Sequence, residues 1–207
     1  MNIAVTGATG RMGKSVIEEI LQRKDSTSVS FATSQKNQNE LSDHSLPTGF
    51  PICNPIDFPS QLQKSNPNVI IDLTVPEASL FFAENAAKFS IPIVIGTTGF
   101  TEEQLNELHA LSSEIPILFE ANFSRGIAAL HLAIDSISEI LSNYDVELTE
   151  THHNKKVDAP SGTLLSILDS IRKFRPNLES TYGRSGIQER KPNEVGIHSI
   201  RAGNIRG

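Results

Sequence analysis

Residues 150–163 hold the densest group of side chains that could do chemistry. The sequence there reads ETHHNKKVDAPSGT, with two histidines and two lysines ahead of a predicted helix start. An imidazole can exchange protons near neutral pH, lysines carry positive charge, and the first amides of a helix bind anions. Since the whole chain has a net charge of −6, this stretch indicates a local site for a small, multiply charged anion and a candidate reaction centre.

The order of residues within this stretch favours a site over a solvated loop. His152 and Lys156 lie four positions apart in the loop that leaves a predicted strand, so they are not expected to share a helix face. Ser161 is predicted to cap the following helix, where Gly162 and Thr163 would offer amides to a carboxylate. A metal site is an alternative, but the stretch has no clear third ligand and we predict none.

Composition limits the classes of protein that the chain could belong to. The 207 residues are 38% hydrophobic and 20% charged, with an isoelectric point near 5.5, which is ordinary for a globular protein and argues against general nucleic-acid binding. The lone cysteine, Cys53, excludes an intrachain disulfide and is interpreted as a small buried hydrophobe. No basic leader and no apolar run of about 18 residues is present, so we interpret the protein as cytoplasmic.

A glycine-punctuated turn follows the first predicted strand. Residues 2–6 are apolar, the turn reads GATGRMG from Gly7 to Gly13, and apolar residues recur at helical spacing from about Arg11. This order is a variant of the dinucleotide-binding fingerprint, in which backbone amides meet a pyrophosphate at a helix start. A plain tight turn is the weaker alternative, and a nucleoside-triphosphate loop is disfavoured because five residues, not four, separate Gly7 and Gly13.

The end of the second predicted strand bears on which dinucleotide is used. An acidic residue is expected there when the ribose of NAD is bound, and Ser34-Gln35-Lys36 occupies the position instead. NADP is therefore at least as acceptable as NAD. A solvated loop lysine explains Lys36 equally well.

Strands and helices alternate through the first part of the chain and change rhythm after Asn122. The pattern predicts an α/β fold: a Rossmann-like, doubly wound parallel sheet over 1–122, and a smaller α+β domain over 123–207 for substrate binding and oligomerisation. Predicted strands are 2–6, 28–33, 68–73, 91–95, 116–119, 146–151 and 195–201; predicted helices are 11–21, 76–89, 101–111, 126–141 and 161–174. Residues 34–40 and 175–193 are predicted loops.

Two further segments follow strands, where ligands of doubly wound sheets bind. The first is Gly96-Thr97-Thr98-Gly99-Phe100, which could contact the nicotinamide half of a dinucleotide or be a simple strand-to-helix loop. The second, 121–124, leads into the second domain and could be both hinge and cofactor contact.

Taken in order, these segments resemble the dihydrodipicolinate reductase (4-hydroxy-tetrahydrodipicolinate reductase) family of lysine and diaminopimelate biosynthesis. The resemblance covers essentially the whole chain and is most specific over 152–163. It rests on GATGRMG (7–13), VIIDLTVPEA (69–78), GTTGF (96–100), ANFS (121–124) and HHNKKVDAPSGT (152–163).

The resemblance implies NADH- or NADPH-dependent reduction of a cyclic dicarboxylic acid with loss of water. His152 then resembles the family's acid/base residue, Lys156 its proton donor, and His153, Gly162 and Thr163 its substrate contacts. The implied dinucleotide contacts are Gly7, Ala8, Thr9, Gly10, Arg11, Met12, Gly96, Thr97, Thr98, Glu120, Ala121, Asn122 and Phe123, to which position adds Ser34. The family is typically tetrameric through the sheet of its second domain, so a homotetramer is expected. Its sequences also continue beyond residues 201–207, so we expect this sequence to be incomplete at that end.

Two other functions remain open at this point. A non-catalytic NAD(P)-binding sensor would share the glycine turn at 7–13. Catalytic short-chain dehydrogenases commonly have a tyrosine with a lysine four residues later. That pair is absent here, because Leu148 follows Tyr144 and Gly186 follows Tyr182 at this spacing. Another two-domain amino-acid dehydrogenase would not explain residues 152–163.

Overall fold

The computed structural model describes residues 1–35, 47 and 49–207. The chain forms two compact units, Met1–Ala121 and Asn122–Gly207. Lys36, which the sequence offered as a contact for a 2′-phosphate, lies outside the described residues.

The first unit is a parallel sheet with helices on both faces. In the described part of this unit, six strands run in the order β3-β2-β1-β4-β5-β6, and every pair is parallel. This order is that of a doubly wound nucleotide-binding fold, as predicted. The strands are β1 (Asn2–Thr6), β2 (Ser28–Thr33), β3 (Ile52–Cys53), β4 (Val69–Asp72), β5 (Ile93–Ile95) and β6 (Ile117–Phe119), and the helices are α1 (Arg11–Gln22), α2 (Phe58–Ser65), α3 (Pro76–Lys88) and α4 (Glu102–Leu111).

Both faces of this sheet are packed by apolar side chains. One cluster lies between the sheet and α2, α3 and α4, and includes Phe31, Phe58 and Phe82, each at most 1% exposed. The other includes Val5 and Ile17, both fully buried, and joins β1 to α1. Since β1, β4 and β5 lie inside the sheet and are covered on two sides, they are near-continuous apolar runs rather than alternating ones, which is why they were recognisable in the sequence.

The second unit is a three-stranded sheet with two helices. The strand order is β7-β9-β8, with both pairs parallel. Its elements are α5 (Arg125–Ile140), β7 (Val146–His152), α6 (Gly162–Arg172), β8 (Glu179–Tyr182) and β9 (Glu194–Arg201). A small apolar core of residues such as Leu164, Leu168 and Val195 joins α6 to the sheet.

Helix starts agree with the capping signals in the sequence. Thr101 caps α4 in a capping box with Gln104, and the Ser161 hydroxyl accepts a hydrogen bond from the amide of Leu164 at the start of α6. Pro76 opens α3 at a position where its missing N–H costs nothing.

Three sequence predictions were wrong or incomplete. The loop predicted over 175–193 contains β8, whose polar sequence ESTY has no apolar alternation to reveal it. Strand β3 and helix α2 were not predicted, because β3 has only two residues and α2 buries only Phe58 and Leu62. Cys53 packs against the apolar core but is only partly buried, and burial raises its thiol pKa to about 11.

Within the described parts of the chain, no helix is both long and apolar enough to cross a membrane.

Candidate active site

One face of strand β7 packs in the apolar core at the start of the strand and carries polar side chains of the candidate site at its end. Val146 and Leu148 pack in the apolar core, and Glu150 and His152 follow on the same face because side chains alternate along a strand. The neighbouring β9 changes in the same way, and its register pairs Glu150 with Ser199 and His152 with Arg201. The sheet therefore brings a carboxylate, an imidazole and a guanidinium together at the ends of two strands.

Glu150 is the centre of this polar group. Its side chain is 8% exposed, and its Oε1 accepts hydrogen bonds from the Ser161 amide at 2.9 Å, the Ser199 hydroxyl at 2.9 Å and the Arg201 guanidinium at 2.7 Å. Burial acts to raise the pKa of this carboxyl, but the hydrogen bonds from Ser161, Arg201 and Ser199 outweigh it and lower the pKa to about 2. Glu150 is thus a fixed negative charge beside His152.

The two histidines present buried nitrogens without partners. Nδ1 of His152 lies 3.5 Å from Glu150 Oε2, and neither atom makes a hydrogen bond within the described residues. Nδ1 of His153 is also buried and finds no hydrogen-bond partner in the described part of the chain. The ring of His152 lies close to Gly207, where an added Cβ would be 2.7 Å from Nε2.

Lys156 lies on the loop after β7, in a turn closed by a hydrogen bond from its amide to the His153 carbonyl at 3.1 Å. Its Nζ pairs with both carboxylate oxygens of Asp158, at 2.7 and 2.8 Å. The Lys156 side chain is 22% exposed, whereas the Asp158 side chain is 56% exposed. This pair holds the predicted proton donor on the loop, and the hydrogen bond from Lys156 lowers the pKa of Asp158.

A cavity of about 390 Å³ lies at the N-terminus of α6. Its lining includes His152, Glu150, Ser161 and Thr163, together with Asn122, whose amide donates to the Thr163 hydroxyl at 3.1 Å. Lys156, His153 and Gly162 do not line it. Gly162 and Thr163 are the first two residues of α6, where amides have no intrahelical acceptor and favour an anion.

In the first unit, the turn after β1 has the form that a bound pyrophosphate requires. Gly7 has φ +76°, and a Cβ on it would lie 2.4 Å from the Leu73 carbonyl oxygen. A Cβ on Gly13 would lie 2.2 Å from the Gly7 carbonyl oxygen. Gly10 is the N-cap of α1 and provides no side chain over the first amides of that helix. The residues present therefore fit a dinucleotide phosphate at this helix start.

A buried carboxylate, Asp72, fixes the loops around this turn. Its Oδ1 accepts hydrogen bonds from the hydroxyls of Thr6 and Thr74, and its Oδ2 from those of Ser79 at 2.6 Å and Thr97 at 2.8 Å. The Thr97 hydroxyl also accepts from the Thr74 amide at 2.9 Å. Because Thr97 is 3% exposed and its hydroxyl is used in this way, a cofactor contact from Thr97 would come from its backbone.

The other predicted dinucleotide contacts vary in exposure. Ala8 and Ser34 are buried, with amides bonded to the carbonyls of Thr33 and Cys53. The amide of Glu120 is bonded to the Ile95 carbonyl. Exposed positions are Gly10, Arg11, Met12, Thr98, Glu120, Ala121 and Phe123, whereas Thr9, Gly96 and Asn122 are partly buried.

Replacing Gly13 by alanine is expected to disturb the glycine turn. The new Cβ would meet backbone rather than a movable side chain, so α1 must shift; we expect a loss of about 1–3 kcal/mol in unfolding free energy and at least a tenfold weaker dinucleotide affinity. Fluorescence titration with NADH and urea unfolding measure both. Gly126→Ala is the control, because its Cβ would meet only ordinary contact, 3.5 Å from Ser124 Oγ. Equal dinucleotide affinities in the two variants would contradict the role of Gly13.

No group of three or more histidine, cysteine or acidic side chains in the described ranges could hold a metal ion.

Sequence reasoning missed Glu150, Arg201 and Asp72 as parts of the sites. Glu150 had a usable signal, since it stands two residues before His152 on a strand and must share its face. Arg201 had none, because its contact with Glu150 spans 51 residues and depends on strand register. Asp72 lies in the predicted strand 68–73 and in the motif VIIDLTVPEA (69–78), but no role was assigned to it.

A glycine turn on a doubly wound parallel sheet, followed by a unit in which His152 and the start of α6 line one cavity and Lys156 lies on the adjoining loop, defines an NAD(P)-dependent oxidoreductase of two units. Comparison with known proteins identifies the family within this class of oxidoreductases. Residues 1–123 match the family model described as dihydrodipicolinate reductase, N-terminus, and residues 126–207 match the model for its C-terminus. The chain belongs to the dihydrodipicolinate reductase family.

Individual relatives agree with this assignment. The 4-hydroxy-tetrahydrodipicolinate reductase of Haloarcula marismortui is 42% identical over 99% of this chain and 78% of its own length. That of Methanocaldococcus jannaschii is 35% identical over 100% of this chain and 79% of its own. A dipicolinate-bound dihydrodipicolinate reductase from Paenisporosarcina sp. TG-14 has the same fold, with a TM-score of 0.73 and 24% identity over 98% of this chain and 79% of that one.

Proposed function

We propose that this protein reduces 4-hydroxy-tetrahydrodipicolinate to tetrahydrodipicolinate with NADH or NADPH, a step of lysine and diaminopimelate biosynthesis. The reaction consumes one hydride and one proton and releases one water. The observation that carries the proposal lies at the end of β7: His152 is the last residue of the strand and lines a cavity with the N-terminus of α6, and His153 and Lys156 follow on the loop. A dicarboxylic acid needs this combination of cationic and amide donors.

The dinucleotide would be held by the first unit. Gly7, Gly10 and the first amides of α1 would bind the pyrophosphate, and the loop of Gly96, Thr97 and Thr98 would bind the nicotinamide half. When bound, the reduced nicotinamide supplies the hydride. Ser34 and residues 120–123 would provide the remaining contacts to the dinucleotide. Ser34 in place of an acidic residue supports acceptance of either dinucleotide.

The second unit would bind the substrate and supply the proton. The amides of Gly162 and Thr163, the Thr163 hydroxyl and the His153 ring would hold the carboxylates. Lys156 would protonate the carbon that becomes negative as the substrate is reduced, and its positive charge stabilises that state. His152 would act as the acid/base group next to the bound ring.

A coupled assay tests this function. The substrate is generated enzymatically from pyruvate and aspartate semialdehyde, and the absorbance of NADH or NADPH is followed after the protein is added. We expect oxidation of the dinucleotide that depends on substrate. Dinucleotide binding without oxidation would contradict the proposal and favour a sensor.

We further infer that residues 1–122 and 123–207 act as the dinucleotide-binding and substrate-binding domains, in a cytoplasmic homotetramer. Family membership supports this inference. Sedimentation velocity measures the assembly, and a monomer across micromolar concentrations would contradict it.

A further inference from the structure

Glu150 Oε2 and His152 Nδ1 are two buried atoms 3.5 Å apart, and the proposed mechanism gives their contact no role. Glu150 Oε1 is fully occupied, since three donors from Ser161, Ser199 and Arg201 converge on it. Glu150 Oε2 is equally buried and makes no hydrogen bond among the described residues, and the same is true of His152 Nδ1 at 3.5 Å. The two atoms are therefore close enough to pair after a small shift.

The charge of Glu150 decides which tautomer of His152 suits this arrangement. An ionised carboxylate can only accept hydrogen bonds, so a lone pair on Nδ1 would face a negative charge with no proton between them. A proton on Nδ1 satisfies both atoms once they approach by a few tenths of an ångström. Contacts of this kind are commonly long before substrate binds and tighten in the complex. The neutral ring then has its lone pair on Nε2.

We propose that Glu150 is a positioning residue that holds the proton of His152 on Nδ1 and so leaves Nε2 to exchange a proton with the substrate. This inference rests on the proposed function for the role of His152, but not for the tautomer itself. Glu150 is held in turn by Arg201, which also donates to the Asp158 carbonyl, so the loop that carries Lys156 is tied to the same carboxylate.

The test uses Glu150→Gln in the full chain. The glutamine oxygen is expected to take the place of Oε1, because three donors converge there, and its NH₂ then faces Nδ1 of His152. That amide donates where the carboxylate accepted, so it favours the opposite tautomer, with the proton on Nε2. We expect ¹⁵N NMR of histidine-labelled protein to show Nδ1–H for the neutral His152 ring in the wild type and Nε2–H in the variant. The His152 signals are assigned with His152→Asn.

Kinetics provide the second measurement. We expect kcat to fall by about 10-fold to 100-fold in Glu150→Gln, by analogy with the loss of a carboxylate that orients a metal-bound histidine. Dinucleotide affinity should not change, since the glycine turn belongs to the first unit. A role limited to stability would lower the urea midpoint without changing the tautomer.

Glu147→Gln is the matched control on the same strand. Glu147 Oε2 lies 2.8 Å from Nε2 of another histidine, His198. Glu147→Gln should alter the NMR signals of His198 but not those of His152, and kcat should stay near normal. An Nε2–H tautomer of His152 in the wild type would overturn the proposal, even if Glu150→Gln did not fold. If Glu150→Gln does fold, an unchanged His152 tautomer in this variant would also overturn it. Absence of turnover in the wild type would instead contradict the proposed function, because the tautomer is measured without substrate.

Discussion

Replacing Lys156 by alanine is expected to lower kcat by about 10²-fold to 10⁴-fold, the range for loss of a positioned proton donor. The side chain is only 22% exposed and its ammonium is held by two contacts to Asp158, so its position on the loop is defined. Alanine removes both the proton and the charge that would stabilise the reduced substrate. Dinucleotide affinity should stay normal, because the glycine turn lies in the first unit. Steady-state kinetics and NADH titration measure the two quantities.

Lys155→Ala is the matched control for this substitution. Lys155 is exposed and adjacent, so it tests the same change of charge in the same loop without the contact to Asp158. Loss of the Lys156–Asp158 pair should itself cost little stability, since Asp158 is more than half exposed. Near-normal turnover in Lys156→Ala would rule out its role, and an equal loss in both variants would point to the general charge of the loop.

The elements that position the candidate site follow from local patterns in the sequence. The strand before Gly7 is a run of apolar residues, and the glycine spacing predicted the turn and the start of α1. Ser161 was identified as a helix cap from its position before an apolar helix, and it is one. These features were predictable because the deciding interactions lie within a few residues of each other.

The features that the sequence did not predict depend on contacts between residues far apart in the chain, which local patterns do not encode. Glu150 meets Arg201 only because β7 and β9 are adjacent and in a particular register. Sequence spacing does not give that register, and a shift of one residue in either strand would turn one of the two side chains to the other face of the sheet. Strand β8 was missed for a related reason: its polar residues are ordered by pairing with β9 rather than by burial of their own.

The first unit illustrates the same limit. The carboxyl ends of parallel strands were expected to gather the loops predicted to bind the dinucleotide, and the glycine turn and the loop after β5 follow the ends of β1 and β5. Which side chains join those loops could not be predicted, because Thr6, Asp72 and Thr97 come from the ends of three different strands. Their hydrogen bonds link positions 66 and 25 residues apart.

Replacing Asp72 by alanine is expected to lower the unfolding free energy of the first unit by about 3–5 kcal/mol. Asp72 is fully buried, and four hydroxyl groups donate to its two oxygens. Its removal leaves the buried hydroxyls of Thr6, Ser79 and Thr97 without an acceptor, and each unsatisfied buried group costs about 1–3 kcal/mol before neighbouring groups rearrange. The chain has no tryptophan, and both tyrosines, Tyr144 and Tyr182, lie in the second unit. Hydrogen exchange of β1 and β4 amides is therefore the suitable measurement.

Asp72→Asn separates stability from cofactor binding. Asparagine keeps the volume and one acceptor oxygen, so a smaller loss of about 1–2 kcal/mol is expected. With its NH₂ in place of Oδ2, it would face the hydroxyls of Ser79 and Thr97 and force them to rotate, which frees Thr97 from the contact that orders the predicted nicotinamide loop. We expect this folded variant to bind NADH about tenfold more weakly, because that contact is worth about 1.4 kcal/mol. Asp57→Ala, at an exposed position that makes no capping hydrogen bond, should change neither quantity. Native NADH affinity in Asp72→Asn would limit Asp72 to the stability of the fold.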